Sequence, residues 1–392
     1  MNMKEINRQE DEARIKTSQL YALTGQAKSY DDRIELGRGD PDFDTPKPIL
    51  EKVEEFFSKP MPGEIPVEGI LPLREAIAER VERFNGIKVN PETEIVVTNG
   101  GQEALFIMVQ AAIDANDEIL VPDPNYNTYR DAINFAGGYR IGVLTKREES
   151  FRVDPNMMEA AVTPRTRAMV LVSPNNPSGA VISPEDQKEL VDIAVRHDFK
   201  ILSDEIYDRF IYDDLPHVSP ATLPGGRERT VTLNAVSKMY SMCGWRIGWL
   251  VGDAGLIEPI KQIKAAINGG TSLISQQGAL AALSTEDSVI LEMKAAYEKR
   301  RKIVITGLDR INIPYGTPQG GQFVFADIGR LPMKSLEFCE RVLDKCHVLV
   351  YPGGGYGPTF DDYFRITFLQ PEEKLEEAMN RMERLFKDEG LC

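Results

Sequence analysis

Three segments of the sequence carry side chains that can act as nucleophile, acid, base or anion ligand. Lys238 and Arg246 lie in SKMYSMCGWRIGW, Asp204 and Tyr207 lie in SDEIYDRF, and Asn176 lies in SPNNPSG. A neutral lysine amine attacks carbonyl carbon, and a guanidinium suits anions that present several oxygens. Taken singly, these features are as readily a solvated lysine, a helix cap and a turn. Chemistry is expected only if the three segments converge.

A glycine turn adds a candidate anion site. The segment EIVVTNGGQEAL places Gly100, Gly101 and Gln102 between an expected strand and the start of an expected helix. Backbone N–H groups point outward at a helix N-terminus, and the helix dipole favours an anion there. A glycine pair before a helix is also common in ordinary tight turns. The turn therefore predicts a phosphate cradle only in combination with other residues.

The elements that must position these segments alternate between strand and helix. Apolar, β-branched runs are separated by helical patterns, which predicts an α/β fold with a mostly parallel sheet sandwiched by helices. In an open α/β sheet the carboxyl ends of the strands collect ligands, so the three loops are expected to meet in one crevice. The predicted strands are Glu94–Thr98, Glu118–Val121, Arg140–Leu144, Ala168–Ser173, Lys200–Ser203, Thr230–Asn234 and Ile247–Val251, and the predicted helices among them include Gln102–Ile113, Tyr126–Phe135 and Pro184–His197.

The pattern changes after the predicted helices Leu256–Asn268 and Ser288–Ile311. A smaller α+β set follows, with elements at Phe323–Ile328, Lys334–Cys346, Val348–Tyr351, Tyr363–Phe368 and Pro371–Glu389. We expect three parts: an N-terminal arm with part of a small domain at 1–49, a large ligand-binding domain at 50–285, and a small C-terminal domain at 286–392. The small domain is thus predicted to come from both chain ends.

Composition limits the partners. The 392 residues carry 46 basic and 61 acidic side chains, a net charge of −15. Such a chain repels nucleic-acid backbones and anionic membranes, so neither is expected as a partner. Four cysteines without a paired spacing predict reduced thiols, no metal site and a cytoplasmic location. Gly37-Arg38-Gly39 lacks the third glycine of a dinucleotide fingerprint, which disfavours a nicotinamide-dependent oxidoreductase.

In combination, the motifs resemble the class I/II aminotransferases among the fold-type-I enzymes that use pyridoxal 5′-phosphate (PLP). The resemblance covers nearly the whole chain beyond the first thirty residues and rests on segments in the family's order. These are GRGDPDFDTP at 37–46, PLREAIAERV at 72–81, TNGGQEAL at 98–105, PDPNYNTY at 122–129, SPNNPSG at 173–179, SDEIYDRF at 203–210, SKMYSMCGWRIGW at 237–249, PGGGYGP at 352–358 and FRITF at 364–368.

The resemblance implies a role for residues around the cofactor ring. Lys238 resembles the lysine that forms a Schiff base with the cofactor and then moves the proton between Cα and C4′. Asp204 resembles the partner of the pyridine nitrogen. Asn176 and Tyr207 resemble the donors to the 3′-oxygen, and Tyr126 resembles the aromatic residue stacked on the ring.

The same resemblance implies two anion sites. Gly100, Gly101, Gln102, Ser237 and Arg246 match the cofactor phosphate cup. Arg365, with Gly39 and Asn176 at the same end, matches the clamp for the substrate α-carboxylate. The implied function is amino transfer from an L-α-amino acid to a 2-oxo acid by a ping-pong mechanism, in a homodimer.

Three positions depart from the family pattern: Glu64, where many relatives carry a tyrosine; Gln322, where an aromatic ring is expected; and Ala235. We hypothesise that Glu64 and Gln322 adapt the pocket to a polar or cationic substrate side chain. The motifs leave C–S lyase and decarboxylase activity open on the same scaffold. A non-catalytic PLP-binding regulator ranks lower, since no basic helix-turn-helix precedes the resemblance.

Overall fold

A computed structural model describes residues 17–58 and 63–391. The start of the predicted N-terminal arm and Cys392 lie outside the described residues. The strands are β1 Ile34–Glu35, β2 Ile95–Thr98, β3 Glu118–Asp123, β4 Tyr139–Leu144, β5 Thr166–Val172, β6 Lys200–Asp204, β7 Thr230–Ala235, β8 Gly248–Val251, β9 Phe323–Asp327, β10 Val348–Leu349, β11 Tyr351–Pro352 and β12 Tyr363–Thr367.

The helices of the described residues surround these strands. In chain order they are α1 Thr17–Ala27, α2 Lys47–Phe57, α3 Leu71–Asn85, α4 Gly101–Ala112, α5 Thr128–Phe135, α6 Pro155–Ala160, α7 Pro184–His197, α8 Val236–Met239, α9 Ala254–Ile267, α10 Leu273–Leu283, α11 Ser288–Arg310, α12 Ser335–Cys346 and α13 Glu372–Asp388.

A seven-stranded sheet organises the larger part of the molecule, with strand order β2-β8-β7-β6-β5-β3-β4. All neighbouring strands from β7 to β4 run parallel, whereas β8 is antiparallel to both β7 and β2. The predicted α/β fold with a mostly parallel sheet is therefore confirmed. Asp204 pairs with Val172 on one side and Leu233 on the other, so the ends of β5, β6 and β7 meet at one edge.

Both faces of this sheet are buried, as continuous apolar strands require. Along β5, Val170 packs on the side of α4 and α9, while Met169 and Leu171 pack on the side of α7. Helix α7 begins as the sequence predicts, because the Ser183 side chain accepts a hydrogen bond from the backbone N–H of Asp186 at 3.1 Å. Helices packed on both faces of the sheet hold the strand ends in place, and the site residues project from these ends.

Two smaller sheets lie outside the seven-stranded sheet. Strands β11, β12 and β9 form an antiparallel sheet, and β10 pairs in parallel with β1, with Ile34 opposite Val348. The predicted single strand Val348–Tyr351 is wrong: it divides at Val350 into two short strands that belong to different sheets. Helix α10 was not predicted, because its apolar residues do not lie along one face.

We propose the domain boundaries 1–49, 50–285 and 286–392 as the division of the chain. The pairing of β1 with β10 supports a small domain that draws on both chain ends, since it joins residue 34 to residue 348 by a backbone ladder. The 23-residue helix α11 lies in the chain between the two sheet systems.

Candidate active site

A cavity of about 510 Å³ lies at the carboxyl ends of β5, β6 and β7. Every predicted site residue except Gly100 lines it. The structure thus brings together Gly39, Gly101, Gln102, Tyr126, Asn176, Asp204, Tyr207, Ser237, Lys238, Arg246 and Arg365.

Lys238 lies on the short helix α8, which follows β7 directly. Its Nζ donates a hydrogen bond to the backbone oxygen of Gly39 at 2.6 Å. The Asp40 carboxylate lies 3.6 Å away and the Cys243 Sγ 3.5 Å away. The amine is held at the cavity wall by the loop that contains Gly39, and its side chain is 14% exposed.

Asp204 is the last residue of β6 and points into the cavity. It accepts hydrogen bonds from the Tyr129 hydroxyl at 2.9 Å and the Ile206 backbone N–H at 3.2 Å. Burial raises the pKa of Asp204 to about 6, although both hydrogen bonds favour the ionised form. A buried carboxylate with two partners has capacity left for a cationic or N–H-bearing group.

The glycine turn and Arg246 form one cradle. Gly100 has φ = 83°, and a Cβ there would lie 2.6 Å from the Arg246 Nη2. On the other side, a Cβ on Gly248 would lie 2.8 Å from the backbone nitrogen of Gly101. Only glycine at these two positions allows the guanidinium and the N-terminus of α4 to approach each other. A helix N-terminus beside a guanidinium suits an anion with several oxygens.

Arg365 projects from β12 and lines the cavity. Its Nη1 donates to the Asn176 side-chain oxygen at 2.9 Å and its Nη2 to the Gly37 backbone oxygen at 2.5 Å. Among the described residues its buried Nε has no hydrogen-bond partner, and its Cζ lies 4.6 Å from the Phe323 ring centroid. A guanidinium that lines the cavity suits an anionic group of a ligand.

Two tyrosines and Gly39 complete the predicted set. Burial raises the pKa of Tyr207 well above its usual range, so its hydroxyl stays neutral and can donate. The Tyr207 ring meets the Phe323 ring edge-on at 5.5 Å. Tyr126 is half-buried and lines the cavity. A Cβ on Gly39 would lie 3.1 Å from the Phe323 ring, so this position accepts little more than glycine.

Glu64 and Gln322 depart from the family pattern and were hypothesised to shape the pocket. Neither residue lines the cavity of the single chain. Glu64 is exposed to solvent, away from the cavity. Gln322 is fully buried in the turn before β9 and does not line the cavity. Its neighbour Phe323, the first residue of β9, lines the cavity instead. Ala235 is the buried last residue of β7.

Sequence reasoning missed several cavity residues. Arg38, Asp40 and Cys243 lie inside motifs that were recognised, yet no spacing rule pointed to their side chains. Tyr129 was also missed: it does not line the cavity, but its hydroxyl donates to Asp204 at 2.9 Å, and it lies in the recognised segment PDPNYNTY. Helix α1 gives no such signal, although its residues Leu20, Tyr21 and Thr24 line the cavity.

Within residues 17–58 and 63–391, no group of three or more histidine, cysteine or acidic side chains could hold a metal ion. No helix of those residues is long and apolar enough to cross a membrane. Among them, Cys243, Cys339 and Cys346 are free thiols.

Comparison with known proteins identifies the class to which this fold and cavity belong. The family described as aminotransferase class I and II matches residues 31–382, so the chain belongs to that family, whose members are fold-type-I enzymes that use PLP. Its activity is that of an aminotransferase of amino acid metabolism.

Individual relatives match over nearly the full length. The chain is 38% identical to aromatic-amino-acid aminotransferase 2 of Thermococcus litoralis and 37% identical to an aspartate aminotransferase of Pyrococcus abyssi. Each match covers 96% of this chain and 97% of the relative. Among solved structures, the aromatic aminotransferase of Pyrococcus horikoshii matches with a TM-score of 0.90 at 38% identity, covering 94% of this chain and 100% of that one.

Proposed function

We propose that this aminotransferase moves the amino group of an L-α-amino acid to a 2-oxo acid by a ping-pong mechanism, with PLP held at Lys238. The observation that carries this proposal is the cavity itself. It combines an amine, a buried carboxylate and two separate cationic anion sites within one 510 Å³ space. A cofactor with an aldehyde, a ring nitrogen and a phosphate needs the first three, and a substrate carboxylate needs the fourth.

The phosphate end fits the cradle formed by the glycine turn. Gly101 and Gln102 would supply backbone N–H groups, and Ser237 and Arg246 would supply side-chain donors, while Gly100, whose N–H donates to the Thr98 backbone oxygen at 2.9 Å, would shape the turn. The absence of a Cβ at Gly100 supports this fit, since a methyl group there would occupy the place of the guanidinium. One guanidinium and a helix N-terminus together balance a dianion.

The ring end fits the three groups at the strand ends. Asp204 would accept the ring N–H, and a positive charge at that nitrogen would hold Asp204 ionised despite its burial. Asn176 and Tyr207 would donate to the 3′-oxygen, and Tyr126 would cover the ring face. When bound, the cofactor supplies an electron sink for the bond that breaks at the substrate Cα.

Arg365 would orient the substrate by its α-carboxylate. Its guanidinium lines the cavity beside Asn176, and Gly39 lines the same cavity. This orientation aims the Cα–H bond toward Lys238, a positioning effect. Lys238 Nζ then takes the proton from Cα and returns it to the cofactor carbon, for which the amine must be neutral at that moment.

A homodimer and a cytoplasmic location remain part of the proposal. The exposed position of Glu64 is compatible with a contact outside its own chain, and the free thiols in the described residues suit a reducing compartment.

The test is a panel of amino donors and 2-oxo acids, with the absorbance of the bound cofactor as readout. Aspartate and the aromatic amino acids belong in the panel because the relatives carry those names. Amino acid alone should convert the cofactor to its amine form, and oxo acid should reverse the change. Lys238→Ala should abolish transfer, while Lys188→Ala, an exposed lysine paired with Asp192, should not alter it. Release of ammonia and pyruvate without transfer would contradict the proposal.

A further inference from the structure

The loop from Gly37 to Asp40 crosses the cavity directly at Lys238. Within this loop, the Gly39 backbone oxygen accepts a hydrogen bond from Lys238 Nζ at 2.6 Å, and Asp40 Oδ1 lies 3.6 Å from the same atom. The Asp40 side chain is 45% exposed and lines the cavity. A carboxylate this close to an amine favours its protonated form.

The two oxygens of Asp40 are divided between two cations. Oδ1 faces Lys238, whereas Oδ2 accepts two hydrogen bonds from Arg38, at 2.8 Å from Nη2 and 3.2 Å from Nε. The Arg38 side chain is 60% exposed and also lines the cavity. Arg38 therefore competes with Lys238 for the charge of a single carboxylate.

The other groups around Lys238 are weakly polar. The Cys243 thiol lies 3.5 Å from Nζ on the segment Cys243–Trp245, and burial raises the pKa of that thiol, so it stays neutral near pH 7. Burial also works to raise the pKa of Asp40, but Lys238 and Arg38 outweigh it and the pKa is lowered. Asp40 is thus the charged neighbour of Lys238 across the working pH range.

We propose that Asp40 is a positioning residue that favours the proton on the Lys238 nitrogen, and that Arg38 limits this effect by sharing the carboxylate. The inference deepens the proposed function, on which it rests, by naming the charged pair that faces the Lys238 nitrogen. Asp40 acts through Lys238 and has no contact with the reacting carbon in this assignment.

The test is a pH titration of the absorbance of the cofactor bound to the intact enzyme. In Asp40→Asn the protonated nitrogen loses its carboxylate, so the midpoint of the titration should fall by about one pH unit, a value discounted for exposure. In Arg38→Gln the carboxylate is no longer shared and a nearby positive charge is lost, so the midpoint should rise. Asp40→Glu should restore most of the wild-type midpoint.

A matched control removes the same charge from the same loop. Asp44 is an exposed carboxylate that does not line the cavity, so Asp44→Asn should leave the midpoint unchanged. Opposite shifts in the Asp40 and Arg38 variants are the decisive signature, because disruption of the loop would move both midpoints the same way. Shifts in one direction, or an unmoved midpoint in Asp40→Asn, would overturn the inference.

A second measurement applies if a variant does not bind the cofactor. The cofactor-free proteins are labelled with acetic anhydride near pH 8, and acetylation at Lys238 is read by peptide mass spectrometry. Labelling should be faster in Asp40→Asn and slower in Arg38→Gln than in wild type, and equal rates overturn the inference. If the wild-type protein neither holds the cofactor nor transfers an amino group, the proposed function fails while this labelling still tests the pair.

Discussion

Asp204 and Glu205 are adjacent acidic residues with opposite surroundings. Asp204 faces the cavity, accepts two hydrogen bonds, and has a pKa raised to about 6. Glu205 points away from the cavity and accepts hydrogen bonds from four side chains at 2.6 to 2.8 Å, those of Asn85, Ser203, His217 and Ser219. Unused hydrogen-bonding capacity marks the residue available for chemistry, and filled capacity marks the residue that holds the fold.

The network around Glu205 extends beneath the site. Arg80 binds both carboxylate oxygens of Asp208 at 2.8 and 2.9 Å, with both side chains buried. Asn234 on β7 donates to the Glu205 backbone oxygen and to Asp208, at 2.8 and 3.0 Å. The network therefore ties the end of β6 to the end of β7, the strands that carry Asp204 and lead to Lys238.

Asp204→Asn is expected to have the largest effect, because it tests whether the unused hydrogen-bonding capacity of Asp204 serves catalysis. The amide cannot hold a positive charge at the cofactor ring, so kcat/KM for amino transfer should fall on the order of 1000-fold. The thermal unfolding midpoint of the cofactor-free protein should change little, because among residues 17–58 and 63–391 Asp204 has no cationic partner to lose. A fall below tenfold would show that the unused capacity of Asp204 has no catalytic value.

Glu205→Ala should produce the converse result. It leaves His217, Asn85 and two serines without their buried acceptor, which should lower the free energy of unfolding by about 3 kcal/mol. Urea unfolding measures that loss. The kcat/KM of the folded variant should stay within a few-fold of wild type at a temperature well below its unfolding midpoint. A loss of activity as large as that of Asp204→Asn, with unchanged stability, would erase the distinction between the two residues.

Arg365→Lys tests whether a second cavity residue with donors for a ligand contributes to catalysis. Lysine offers a single point charge where the guanidinium can present donors to a carboxylate and still hold Asn176 and Gly37. We expect kcat/KM for the preferred amino acid to fall by about 100-fold. The control is Arg300→Lys, a buried arginine paired with Asp42 outside the cavity lining, which should affect stability rather than kcat/KM. Equal losses in the two variants would argue against a substrate role for Arg365.

Much of the fold could be predicted because apolar runs mark buried strands. The predicted strand at 168–173 is observed as β5 at Thr166–Val172, and the helix predicted at 288–311 ends one residue earlier. Helix α10 was missed because its apolar residues do not form a face, and β10 and β11 were joined because one residue separates them. Hydrophobic periodicity indicates that a segment is buried, but it does not indicate which sheet a short strand joins.

The candidate site, like the fold, could be predicted only in part. The motifs predicted the residues that project from strand ends, and these residues line one cavity. Asp40 was missed because its approach to Lys238 is a contact between segments that are distant in the chain; the neighbouring bond from Lys238 to Gly39 spans 199 residues. The hypothesis for Gln322 is not supported, because this residue is buried in the turn before β9, and the next residue, Phe323, lines the cavity.

The smallest expected effect is a pH dependence of stability from His217. Burial disfavours its charged form, but the Glu205 carboxylate at 2.8 Å outweighs burial, so the pKa of His217 is raised above 6.5. The stabilising contribution of the pair is therefore full below about pH 6.5 and is lost as the pH rises through the pKa in the folded protein. The difference in unfolding free energy between wild type and His217→Gln should shrink by about 1 to 2 kcal/mol on going from pH 6 to pH 9. Urea unfolding at several pH values measures it, and Asp204, which titrates in both proteins, cancels in the difference. If this difference in unfolding free energy stays constant or widens with pH, His217 is neutral in the folded protein and its positive charge does not stabilise the network.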